Sequence, residues 1–122
     1  MSYYRTTVLK VGPEVADMAA GGVLILFAEP VPEALAEVSI IHRPSAPLSG
    51  PINVGDTVSI GGQDLEVTAV GDLAAKNLED LGHVVLYVNK PDQKLLPGAM
   101  LARGTLLTPA PDQVIEFRSS SI

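Results

Sequence analysis

A chain of 122 residues and 12.7 kDa is the size of one domain, spanning residues 1–122, and is long enough to bury a hydrophobic core without disulfide or metal staples. Charged residues make up 18% and mean hydropathy is +0.30, which excludes a disordered chain. There is no cysteine, which excludes disulfides, thiol catalysis and thiolate metal sites, and the net charge of −6 disfavours nucleic acid as a partner.

The N-terminus, Met-Ser-Tyr-Tyr-Arg-Thr-Thr, lacks the basic start and apolar core of a signal peptide, so a cytoplasmic protein is expected. The first strand is expected over Tyr3–Val11. The run Val23-Leu24-Ile25-Leu26-Phe27-Ala28 follows; it is too short to span a bilayer and suits a buried strand. Residues Glu33–Glu37 can form a single helical turn behind Pro32. A third strand is expected over Val38–His42, ending before Pro44.

Gly61-Gly62 is the clearest turn. Two glycines tolerate the positive φ of a tight hairpin, and a two-residue loop places Val58 opposite Leu65, Thr57 opposite Glu66 and Ser59 opposite Asp64. One well-formed helix is expected at 73–81, with Asp72 as cap, Ala74, Leu78 and Leu81 on one face, and Gly82 ending it in the left-handed conformation. His83–Asn89 reads as a central strand, Ala99–Leu107 as another, and Gln113–Arg118 as a closing strand. Short β-branched runs punctuated by Gly and Pro predict an all-β fold, a small barrel-like or sandwich domain of about seven to nine strands with one short helix.

The reactive inventory is small. The two histidines, His42 and His83, are in no local metal-binding spacing, so no metal site and no cofactor are expected. No G-x-S-x-G elbow and no phosphate-binding glycine loop is present. What remains is histidine as a nucleophile: a neutral imidazole has one free lone pair, which can accept a phosphoryl group and later release it. His42, at a strand end, is the better placed of the two. Arg43 and Ser45 could contact phosphate oxygens, although neighbouring residues on a strand face opposite ways. His83, opening an apolar strand after the helix, suits a structural role and could orient the reacting histidine. Tyr3, Tyr4 and Tyr87 read as amphipathic packing residues. From composition alone, an ordinary surface histidine is the simpler reading of His42, and the residues by themselves stop at a soluble β domain with one presentable histidine.

The stretch Val67-Thr68-Ala69-Val70-Gly71-Asp72, continuing through Asn77-Leu78-Glu79-Asp80-Leu81-Gly82-His83-Val84, resembles the glucitol/sorbitol-specific enzyme IIA of the bacterial phosphotransferase system. Thr6-Thr7, Leu24-Ile25-Leu26-Phe27, Ile41-His42, Val54-Gly55 and Pro97-Gly98 followed by Gly104 extend the likeness over nearly the whole chain. The resemblance implies a predominantly β, barrel-like phosphocarrier. It would accept a phosphoryl group from the phosphocarrier protein HPr and pass it to the IIB part of a IIB/IIC sugar permease. The family's I-H step lands on His42. Where the family pattern continues H-x-H-G, this chain has His42-Arg43-Pro44-Ser45, and Pro44 has no N–H to donate. The acidic balance suits a donor with a basic docking face, and the low charge fraction leaves a homodimer open. The alternative is a non-catalytic β-barrel binding or regulatory module that retains the family fold.

Overall fold

Gly61 and Gly62 adopt φ of +56° and +89°, and the strands on either side pair in the expected register, with Val58 opposite Leu65, Thr57 opposite Glu66 and Ser59 opposite Asp64. This hairpin, β4 (Thr57–Ile60) and β5 (Gln63–Val70), belongs to a computed structural model that describes residues 2–106 and 108–120. The other strands are β1 (Ser2–Val11), β2 (Val23–Ala28), β3 (Ile40–Pro44), β6 (Val84–Val88), β7 (Ala99–Gly104) and β8 (Val114–Arg118). The far end of the strand expected over Ala99–Leu107 falls on Leu107, outside the described residues.

The eight strands close into a barrel in the order β1-β3-β2-β6-β7-β5-β4-β8. Closure removes every open strand edge. The closing strand is β8, which pairs with both β1 and β4. Two neighbouring pairs are parallel, β2 with β3 and β6 with β7. Parallel neighbours need a crossover connection, and the β2-to-β3 crossover carries the short helix α2 (Glu33–Ala36) behind Pro32.

Period-2 alternation fills the interior. Tyr4, Thr6 and Val8 of β1 point inward, and the barrel is packed by Leu24, Leu26, Leu86, Met100, Ile115 and Phe117, all 1% exposed or less. A bulge interrupts the β1–β3 ladder just after Val8.

Two expectations about helices need correction. Among the described residues there are three short helices, α1 (Val15–Ala20), α2 and α3 (Ala74–Leu81); α2 is the turn expected behind Pro32 and α3 the expected helix, while α1 was not expected. Helix α1 has no side-chain cap and buries one residue, Val15, so its sequence signal is weak. Backbone bonds anchor its approach, Gly12 N–H to the Ser39 carbonyl and Glu14 N–H to the Glu37 carbonyl. In α3 the capping position is Leu73 rather than Asp72, with no side-chain cap bond. Gly82 does end this helix in the left-handed region at φ +65°. Ala74 and Leu78 are buried, but Leu81 is 51% exposed and lines an open cavity instead of the core.

Candidate functional site

His42 sits on β3 opposite Val8 of β1 and beside Ala28 of β2. It shares the inward face with Val8, and its side chain is wholly buried, at 0% exposure. The sequence pattern predicts a presentable residue at a strand end, with the strand over Val38–His42. Instead β3 starts at Ile40 and continues through Pro44, which pairs with Thr6, so His42 lies mid-strand. The turn that ends α3 delivers a backbone carbonyl to the ring. His42 Nε2 lies 2.6 Å from the Gly82 carbonyl oxygen, and Nδ1 lies 2.5 Å from Thr6 Oγ1, itself fully buried.

These partners define the ring's protonation. A carbonyl oxygen only accepts, so Nε2–H donates to Gly82; Nδ1 then carries the lone pair and accepts from the Thr6 hydroxyl. Burial pushes the imidazole below the usual histidine range, and the Gly82 carbonyl, which favours the charged ring, opposes it in part. His42 is therefore held as an oriented imidazole whose neutral form is favoured.

That neutrality carries a testable pH dependence. With the folded value depressed, the unfolded chain binds more protons between that value and the ordinary one near 6.5. Stability is then full above about pH 6.5 and is lost as pH falls below it. The denaturation midpoint should fall between about pH 7.5 and about pH 5.5, and fall less in His42→Gln. An identical pH profile in that variant would show that His42 does not titrate in this window.

His83 is half-buried at the start of β6, its ring tilted over Phe27 with centroids 4.8 Å apart. Burial lowers its pKa as well. It touches the His42 environment through the chain, since Gly82 immediately precedes it. Arg43, on the alternate face of β3, and Ser45, in the bend just after it, are exposed. The Arg43 guanidinium lies 3.5 Å from Glu29, with both side chains at least half exposed, so the pair adds little stability. The Ser45 backbone N–H bonds to the Arg5 carbonyl. The structure thus joins His42 to the Gly82–His83 turn, while Arg43 and Ser45 stand outside the ring's hydrogen-bond partners.

A cavity of about 210 Å³ opens at this end of the barrel, lined by Tyr4, Ala28, Glu29, Pro44, Leu81 and Gly82 among others. Ala28 and Gly82 are also the neighbours of His42. A larger concavity lies beside Lys90 and Arg103, and its lining includes neither hydrogen-bond partner of His42. Three contributors escaped sequence reasoning: Thr6, Gly82 through its accepting carbonyl, and Tyr4. Thr6 and Tyr4 share the inward parity of β1, but only the β1–β3 pairing shows that this face meets His42.

Among the described residues, no three His, Asp or Glu side chains gather as a metal ion would need, and no helix is long and apolar enough to cross a membrane.

The whole chain is similar to proteins of one family. Residues 3–116 match the family described as PTS system glucitol/sorbitol-specific IIA component. Two proteins of that description, the PTS system glucitol/sorbitol-specific EIIA components of Shigella flexneri and Escherichia coli K12, are each 34% identical over 117 residues, covering 95% of this chain and 94% of the relative. A crystal structure of a PTS system IIA component from Enterococcus faecalis V583 superposes with a TM-score of 0.83 at 20% identity, covering 94% of this chain and 99% of that one, and so shares the barrel fold. With the match running through both histidine segments and nearly end to end, the chain belongs to the glucitol/sorbitol-specific IIA component family of the phosphotransferase system.

Proposed function

We infer that this chain is the phosphocarrier subunit of a glucitol/sorbitol-type sugar phosphotransferase system, with His42 as the residue that carries the phosphoryl group. One observation supports the assignment above the rest: His42 is a neutral imidazole held by hydrogen bonds at both ring nitrogens beside a cavity at the barrel end. A fixed, uncharged ring beside space for a tetrahedral group is what positioning catalysis requires.

Gly82, the partner of Nε2, lines that cavity, whereas Thr6, the partner of Nδ1, does not. Nε2 is accordingly the acceptor nitrogen. For transfer, the Gly82 carbonyl leaves Nε2 and the ring proton moves to Nδ1. There Thr6 Oγ1, a hydroxyl able to do both, changes from donor to acceptor. The Nε2 lone pair forms the new N–P bond as the donor's P–N bond breaks, and that electron pair returns to the donor imidazole. No net proton is gained or lost. In the onward step the His42 N–P bond breaks while a cysteine thiolate of the permease IIB part forms the S–P bond.

The donor this fits is HPr in its phosphohistidine form. Glu29, Glu79 and Asp80 line the cavity rim, and Leu81 is exposed beside them, which suits a docking face that is basic and partly apolar.

A second acceptor has a specific observation in its favour. His83 is reached by solvent where His42 is not. Its ring is held by stacking on Phe27, with no side-chain hydrogen bond to fix a tautomer.

Incubation with phosphoenolpyruvate, enzyme I and HPr should add one acid-labile phosphoryl group per chain, removed again on addition of the IIB domain. A chain that stays unlabelled with a cognate HPr would contradict the phosphocarrier reading and favour a binding module on the same barrel.

A further inference from the structure

Tyr4 is 3% exposed, and its hydroxyl oxygen is buried without a hydrogen-bond partner. Leaving such a group unsatisfied is costly, and in native proteins it usually marks a partner that comes and goes. The hydroxyl also has no freedom to seek water by swinging outward. The ring is clamped edge-on against Phe117, with centroids 5.5 Å apart at 86°, and it shares the inward face of β1 with Thr6.

Tyr4 lines the same cavity as Gly82 and Ala28, the two residues that flank His42. The rest of that lining is apolar side chains and the carboxylates of Glu29, Glu79 and Asp80. None of those side chains can donate a hydrogen bond in its ordinary state, and the carboxylates repel a phosphoryl dianion. The backbone N–H of Gly82 is already committed to the Leu78 carbonyl. Tyr4 is thus the side-chain donor available inside the cavity.

We propose that the Tyr4 hydroxyl donates a hydrogen bond to a phosphoryl oxygen of the charged histidine, making Tyr4 a phosphoryl-contacting residue of this site. The proposal rests on His42 as the phosphorylated residue. Burial raises the phenol pKa to about 12, so the group remains a donor throughout the physiological range. Before transfer the hydroxyl has no partner among the described residues; after transfer the phosphoryl oxygen supplies one. The same atom therefore disfavours the empty state and favours the charged one, which lengthens the life of the phosphohistidine against water.

The test is Tyr4→Phe, which keeps the ring and its contact with Phe117 and removes one atom. The uncharged variant should melt at or above the wild-type temperature, since an unpaired buried group has gone. Its phosphohistidine should hydrolyse roughly 10- to 100-fold faster, as expected for loss of one hydrogen bond to a charged group. In the wild type, the ¹³C resonance of Tyr4 Cζ should move on phosphorylation while that of Tyr87 stays put. A hydroxyl with only a packing role would lower the melting temperature and leave the phosphohistidine lifetime unchanged, and that result would overturn the proposal. A stationary Tyr4 Cζ resonance in fully labelled wild type would overturn it independently. Label found on His83, or no label at all, would instead overturn the assignment of His42 on which the proposal stands.

Discussion

Replacing Gly82 by alanine is expected to cost about 2–5 kcal/mol of stability, the sum of a left-handed backbone penalty and an overpacked contact. Gly82 ends α3 at φ +65°, a conformation that L side chains rarely adopt. A Cβ there would collide with the Cβ of Ala28 and come within 2.8 Å of its backbone nitrogen, and backbone cannot rotate aside as a long side chain would. Relief requires the turn to lift from β2, which takes the Gly82 carbonyl away from His42 Nε2. The melting temperature should fall by roughly 10–20 °C for a domain of this size. Phosphoryl labelling should fall with it, because the ring loses the bond that sets its orientation. A melting temperature within a degree or two of wild type would show that the turn does not sit against Ala28 as described.

The largest functional effect is expected at His42 itself. His42→Gln should remove phosphoryl acceptance altogether, since an amide nitrogen has no lone pair free for attack on phosphorus. Glutamine can still donate to the Gly82 carbonyl, so the variant should fold, with a destabilisation of about 1–3 kcal/mol from imperfect packing in a fully buried position. His83→Ala should keep most of the labelling, because the Gly82 backbone, and not the side chain at 83, contacts the His42 ring. Comparing phosphoenolpyruvate-dependent labelling of the two folded variants decides between them. Label retained by His42→Gln and lost by His83→Ala would move the acceptor to the stacked, solvent-reachable histidine.

Much of the barrel was legible because its signals are local. The Gly61-Gly62 pair and the alternating residues on either side specify the β4–β5 register without help from the rest of the chain. The apolar run at Val23–Ala28 coincides with β2, and Gly82 terminates α3 as its sequence position implies. Helix α1 was not legible, since its six residues carry no capping side chain and are held by contacts with the segment ahead of β3.

The candidate site divides in the same way. That Arg43 takes the face opposite His42 follows from period-2 alternation, but the strand does not end at His42: β3 continues through Pro44, which still pairs with Thr6. The burial of His42 does not follow, because it depends on a turn 40 positions later reaching across the barrel end. Tyr4 reads from the sequence as one more amphipathic packing residue. Its unpaired hydroxyl becomes visible only when closure of the barrel shows what surrounds it.

The central claim is that the phosphoryl group resides on His42, and it is tested most directly on the unaltered protein. Wild-type chain charged by phosphoenolpyruvate, enzyme I and HPr would be digested at alkaline pH, where phosphohistidine survives, and the label located by fragmentation mass spectrometry. The account predicts a single phosphorylated residue, His42, in the peptide that contains Ile40-Ile41-His42-Arg43. A phosphoryl group on the peptide that contains Gly82-His83-Val84 would contradict it.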